Sequence, residues 1–356
     1  MSCSVCVPDL ALQLSIFRGG AFKVIQHPFK KRSRSKLFQQ AAISGDEEAV
    51  EAFISKGIEL SITDQFGRTP LHNAILGKQL RIVEILVSSG ADIQVQDERG
   101  DTPLHTAVRT GDESILPILL QHSECNVNAT GRHNVTPLHL AAGMDRVNVC
   151  KMLIENQAMI TSKDDDHMTP MGHAVERGAT DAVEYFFQYA HSQKLDMDSF
   201  LYKADMDESS LLHMAVDRGV VKIVKLCLQN GSRVRCPKTS DRTTAFHLAC
   251  GQGLLEIVKL LASHDLAICR ITLIDSEGQT PLHRAATNNH VTVVQYLLDQ
   301  GASVDPPDRA RCTPLFKAAA MEEWKPFRCY LSEVQTSQLK VWSRDQFSML
   351  QFLMLV

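Results

Sequence analysis

Apolar positions in this chain fall into two kinds of block that alternate along most of its length. A short block, such as Leu104, Ala107 and Val108, is followed by a glycine and then by a longer block, such as Ile115, Leu116, Leu119 and Leu120. Spacings of three and four put each block on one stripe of an α-helix. The longer block returns as Ile82, Val83 and Leu86, as Val149 and Leu153, and as Ile223, Val224 and Leu228. It returns again as Ile257, Val258 and Leu261, and as Val293, Val294 and Leu297. Polar turns such as Asp97-Glu98-Arg99-Gly100 separate the helix pairs, with glycine supplying positive φ. The pattern predicts a short helix, a tight turn, a second helix and a projecting loop, many times over.

The start of each short helix carries a motif. Thr-Pro-Leu-His stands at Thr69, Thr102, Thr136 and Thr280, with degenerate copies opening at Thr169, Ser210, Thr244 and Thr313. Successive steps are 33, 34, 33, 41, 34, 36 and 33 residues. Thr is suited to the N-cap, where its oxygen accepts from free amides, and Pro to the first helical position. Small Ala on the apolar stripe lets neighbouring helices approach closely. Gly45, Gly111, Gly178, Gly219 and Gly253 end first helices; Lys78, Asp145, Asn289 and Glu322 fill the matching place. Asn tolerates a left-handed backbone there, and the other three are expected to be strained or to turn differently. Period and motif together resemble the ankyrin-repeat family over Lys36 to Leu331. The resemblance implies an all-α solenoid of stacked helix pairs with β-hairpin-like fingers. Its nine units are a cap around Phe38 to Gly45, seven good repeats and a last unit broken by Pro326. No unit buries its own apolar face, so neighbours shield one another in one elongated core, with a concave side formed by first helices and fingers.

Three regions depart from the template. The 41-residue step places extra residues near His191 to Glu208, so the second helix there, Ala182 to Ala190, runs on or leads into a longer finger. Residues 1–35 lie outside the repeats. The basic run Lys30, Lys31, Arg32, Arg34 and Lys36 reads first as a solvated linker, with a nuclear address or an anionic-lipid contact as alternatives. Residues 332–356 are expected to be a divergent tail.

Composition narrows the function. A net charge of −4 leaves no electrostatic footprint for nucleic acid. The ten cysteines are scattered, and several, such as Cys150, Cys227 and Cys250, sit on apolar helix stripes, which reads as reduced thiols in a cytoplasmic chain. The sequons at Asn128 and Asn134 fall where turns need Asn. Pro8 to Ile16 is too short and unflanked for a signal peptide, and Phe347 to Val356 falls short of the ~20 apolar residues of a membrane span.

Catalytic readings fare poorly. His72, His105, His139, His213, His247 and His283 all occupy one repeat position, and six copies argue for bonding to backbone in the neighbouring finger. The run Asp164-Asp165-Asp166-His167 is expected to be a solvated turn, lacking a calcium-loop pattern. Cys3 and Cys6 have no second pair for zinc, and Gly251-Gln252-Gly253 lacks the rest of a phosphate loop. No enzyme activity, cofactor or metal is expected.

A narrower resemblance comes from Ser210-Leu211-Leu212-His213-Met214-Ala215-Val216, from Val224 through Gly231, from Cys236, and from Thr244 through His247 with Glu256 to Leu260. With the long unit carrying Phe186 and Phe187, and with Trp324, these are similar to the transient receptor potential ankyrin-type cation channels. That resemblance implies a homotetrameric channel whose cytosolic ankyrin region precedes six membrane helices and answers chemical or thermal stimuli. The residues here include no pore, and none of the ten cysteines takes the electrophile-sensing role. The chain would then be a fragment or truncated form of the regulatory region; the alternatives are a free-standing scaffold or adaptor and a nuclear regulator. In each case a protein partner is expected on the concave face or the fingers. The variable positions that flank the repeated ones are Phe66, Arg68, Glu98, Asp101, Arg109, Arg132, His133 and Arg177.

Overall fold

A computed structural model of the chain describes residues 28–201, 210–238, 240–264 and 273–319. The helices run in pairs. They are α1 (Pro28–Ser44) with α2 (Glu47–Ser55), α3 (Pro70–Leu76) with α4 (Leu80–Ser88), and α5 (Pro103–Thr110) with α6 (Leu116–Leu120). Next come α7 (Pro137–Gly143) with α8 (Val147–Glu155) and α9 (Pro170–Arg177) with α10 (Thr180–Ser192), which is followed by the short α11 (Met197–Leu201). Then follow α12 (Leu211–Asp217) with α13 (Val221–Gln229), α14 (Ala245–Gly251) with α15 (Leu255–His264), α16 (Pro281–Thr287) with α17 (Val291–Asp299), and α18 (Pro314–Ala319).

First helices stack on first helices and second on second, so α3 packs on α1, α4 and α5, and α4 also on α2 and α6. The stack is close because the residue five after each capping Thr or Ser is Ala: Ala74, Ala107, Ala141, Ala174, Ala215, Ala249 and Ala285 are all fully buried. The second-helix stripes, among them Ile82, Val83, Leu86, Ile223, Val224 and Leu228, complete one continuous core. Gly77 marks the closest approach: a Cβ there would run into the Ile43 backbone carbonyl of α1. Gly111 has φ 68° and also leaves room for the Arg146 guanidinium from the following pair. Lys78 and Asp145, at the same turn position, take φ 56° and 57°, as Asn289 does at 58°. The Asp145 carboxylate accepts from the Ala182 N–H of the next pair at 2.7 Å, a bond that helps offset its strained backbone.

Three expectations need adjustment. The fingers follow a hairpin course but carry no strand among the described residues beyond an isolated bridge between Pro237 and Thr244. Each is closed instead by one backbone bond, as from Asp64 N–H to Arg68 O at 2.9 Å or from Asp97 N–H to Asp101 O at 3.0 Å. The stretch expected to be a linker is helical from Pro28, so the basic run lies within α1, with Arg34 and Lys36 exposed. The long step is absorbed by extending α10 to thirteen residues, with Phe186 and Phe187 buried, and by adding α11 against α12. The expected break at Pro326, the tail from 332, Glu322, Trp324, Cys3 and Cys6 lie outside the described residues.

Candidate interaction surface

The histidines are built into the scaffold. His72 Nδ1 accepts from the Thr69 N–H at 3.2 Å, and the Thr69 hydroxyl lies 2.9 Å from the same nitrogen. The other ring nitrogen, Nε2, must then donate, and it meets the carbonyl of Asp101 in the next finger at 3.1 Å. The same link joins His105 to Val135, His139 to Met168, His213 to Thr243, His247 to Leu273 and His283 to Cys312, all at 3.0–3.2 Å. Burial pushes all six imidazoles below their ordinary pKa, His139 and His213 to about 4. His139 is lowered further by His173, whose ring stands edge-on at 5.0 Å. Both nitrogens are therefore committed, and the rings are unavailable as general bases.

The fingers rest on an aspartate device. Asp64 Oδ1 accepts from the N–H groups of Phe66 and Arg68 at 2.8 and 3.0 Å, and Asp164 Oδ1 does the same for Asp166 and Met168. The second oxygen then binds the residue nine positions on, in the first helix. Asp64 takes Asn73, Asp164 takes His173 at 2.6 Å, Asp275 takes Arg284 and Asp308 takes Lys317. Asp164 is thus 6% exposed, which corrects its reading as a solvated turn residue. The signal was present in the chain as Asp five before the capping Thr with a polar residue four after it.

Successive fingertips are tied by backbone bonds, from Glu98 N–H to Phe66 O, Arg132 N–H to Arg99 O and Asp165 N–H to His133 O. Along this ridge Phe66 is 48% exposed with the Arg68 guanidinium 4.4 Å above its ring, and Glu98, Arg132 and His133 are exposed. His133 reaches Asp165 at 3.6 Å. Two of the eight positions singled out from the sequence behave otherwise. Asp101 is only 5% exposed, because the finger folds it inward onto Arg109 Nε at 2.8 Å, and Arg68 is half-buried.

The two positions that close the first helices, seven and eight after the N-cap, lie beside the fingers and stay out of the core. They read Leu76/Gly77, Arg109/Thr110, Gly143/Met144, Glu176/Arg177, Asp217/Arg218, Gly251/Gln252 and Thr287/Asn288. That they share one groove with the fingers follows from the Arg109–Asp101 bond and from a cleft of about 150 Å³ lined by Met168, Glu176, Met214, Arg218 and Lys238. Over the later units these positions pair across the stack: Arg218 with Glu176 at 3.1 Å, Gln252 with Asp217 at 2.8 Å and Asn288 with the Gly251 carbonyl. Arg177 is exposed and makes no hydrogen bond or ion pair among the described residues. Sequence reasoning missed Met144, 43% exposed in the same groove.

Stacked helix pairs, committed histidines and a groove of varied side chains define a repeat solenoid that presents surface. Five overlapping stretches, 37–131, 129–198, 192–275, 212–308 and 265–326, match the family model described as ankyrin repeats in three copies, and the chain belongs to that family. It is 27% identical over 329 residues to the human transient receptor potential cation channel subfamily A member 1, covering 89% of this chain and 29% of that protein. The Drosophila melanogaster protein of the same name is 30% identical over 203 residues, 56% of this chain and 17% of its own length. Inversin of Canis lupus familiaris is 29% identical over 272 residues, 76% of this chain and 22% of inversin. The chain thus spans 29% or less of the length of these relatives. Among the described residues no helix is long and apolar enough to cross a membrane.

Proposed function

We propose that the chain is the protein-binding ankyrin array of a cation channel of the transient receptor potential ankyrin type, a regulatory arm rather than a catalyst. The observation that carries this reading is the breadth of the match: the alignment with the human channel runs over 89% of this chain, so it takes in the elongated α10 unit as well as the regular repeats. On this reading the array lies on the cytoplasmic side, four copies are gathered by the rest of the channel, and a protein partner sits in the groove and on the fingertips. Sequencing the transcript beyond the codon for Val356 tests it: six apolar spans downstream support it, and their absence in every transcript refutes it. The similarity to inversin favours a second reading, a free-standing scaffold, which a genuine stop codon after Val356 would support. For either reading, a photo-crosslinking residue placed in the groove is expected to capture partner protein, whereas one on the outer face of α10, at Gln188, is not.

A further inference from the structure

We infer that the groove over α5, α7 and α9 is a subsite for an acidic peptide segment, bound extended with apolar side chains between two carboxylates. The inference rests on the reading that a protein docks in this groove, and names the chemistry of what docks.

Three observations carry it. The first is the contrast between Arg177 and Arg218, which hold the same place in successive units. Arg218 is neutralised by Glu176 at 3.1 Å. The matching neighbour of Arg177 is Gly143, which offers no carboxylate, and a Cβ there would lie 3.4 Å from the Arg177 stem. A guanidinium that has packed its stem and left its charge unmatched is poised for a bidentate carboxylate. Second, a further cationic pair stands on the other side of Gly143. Arg146 leans over Gly111, donates to the Arg109 carbonyl at 3.4 Å and makes no ion pair among the described residues. Arg109 gives only its Nε to Asp101, which leaves its terminal nitrogens without a partner among the described residues and the side chain 44% exposed. Third, the floor between them is apolar, formed by half-buried Leu140 and exposed Met144.

Geometry sets the length of the partner. Stacked helices lie roughly 8–10 Å apart, so the backbones at Arg109 and Arg177, two units apart, stand about 16–20 Å from one another, the outer limit for the two side chains' reach. An extended chain covers that span in about five to six residues at ~3.3 Å each. Two carboxylates six residues apart lie on one face of an extended chain, and apolar side chains two and four residues after the first lie on that same face over Met144. A peptide is favoured over a nucleic acid because the cations are few and interrupted by apolar floor. In addition, Glu98 and Glu176 border the site, and the whole chain carries a net charge of −4.

The test uses the full chain and a fluorescein-labelled peptide, Glu-Ser-Leu-Thr-Leu-Ser-Glu, whose Glu and Leu side chains all fall on one face of the extended chain, read by anisotropy. Saturable binding is expected, weakened at least about tenfold by Arg177→Gln and less than about twofold by Arg218→Gln, which lies one unit outside the subsite, just past α12, and has a terminal nitrogen on Glu176. Melting curves of both variants confirm folding. Replacing both Glu of the peptide by Gln is expected to abolish binding. The inference is overturned by no saturable binding, by equal affinity of the wild-type chain and Arg177→Gln, by equal binding of the Gln peptide, or by an oligothymidylate twenty residues long displacing the peptide at equimolar concentration. Crosslinkers at Leu140 and at Leu248 separate the two levels. Partner capture at 140, together with saturable binding of the peptide, supports the subsite. Capture at 248 alone refutes the subsite and leaves groove docking intact, and capture at neither refutes both.

Discussion

The groove over α5 to α9 and the groove over α12 to α16 are made from one template and end up chemically different. Both keep the capping Thr or Ser, the buried Ala and, in all but the Thr169 unit, the imidazole link to the next finger. Among the groove residues that differ are the two in each unit seven and eight past the cap. In the later half those residues satisfy one another across units, through Arg218 with Glu176, Gln252 with Asp217 and Asn288 with Gly251. In the earlier half Gly143, Met144 and Arg177 leave the same ground open. Stability is shared between the halves, and availability to a partner is not.

Acid is expected to leave that shared stability equally reduced in both halves, and the effect is the largest of those considered. Because the folded pKa of His139 and of His213 is lowered to about 4, the unfolded chain takes up protons first, near 6.5. Their contribution is complete above about pH 7 and falls away as pH drops from 6.5 towards 4, on the order of 3 kcal/mol for each. Urea midpoints recorded across this interval measure it, and a flat profile would contradict the commitment of both ring nitrogens. Next in size, His139→Leu and His213→Leu should each cost about 2–4 kcal/mol, since each removes a capping contact and orphans a carbonyl. Unfolding free energies that differ by more than about 2 kcal/mol between the two would break the claim of a common scaffold.

A smaller pair sharpens the contrast. Gly111→Ala and Gly219→Ala both force a side chain onto φ near 70°, for about 1 kcal/mol each. Gly111→Ala should cost more in a thermal melt, because its methyl displaces the Arg146 guanidinium, whereas that of Gly219→Ala meets only Leu254 at 3.7 Å. Equal melting shifts would argue that Arg146 does not depend on that glycine. Smallest of all, Glu176→Gln should lower stability by less than about 1 kcal/mol, the pair being half-exposed. A larger loss in chemical denaturation would mean that the pairing over the later groove is structural and not mainly a matter of surface availability.

Much of the scaffold was legible because its signals are local. A Thr, a His three residues on and an Ala two beyond that lie within one helical turn or two, and the same helix realises them eight times with small departures. What escaped is what depends on distance. Arg218 finds Glu176 across 42 residues, and nothing near either residue announces the other. Asp101 looked like solvent-facing punctuation because its position varies between units, yet the finger turns it onto Arg109. The basic run lacked an apolar stripe and so gave no periodic sign of helix, while Pro28 and the packed end of α1 at Phe38, Ala41 and Ala42 allow the helix to extend back through it. The aspartate that reaches nine residues forward was readable in principle, since its spacing to the capping Thr is constant.

The imidazole links give the molecule a direction. Each reaches 26–30 residues forward and none reaches back, so each of the six units that carry the histidine holds a ring whose acceptor belongs to its successor. Trimming from the carboxyl end strands a donor in the unit left behind, whereas trimming from the amino end strands a carbonyl, which has two lone pairs and finds water more readily. Fraying is therefore expected to run unequally from the two ends. During synthesis, too, each freshly emerged pair must wait for the following finger to leave the ribosome before its last buried hydrogen bond can form.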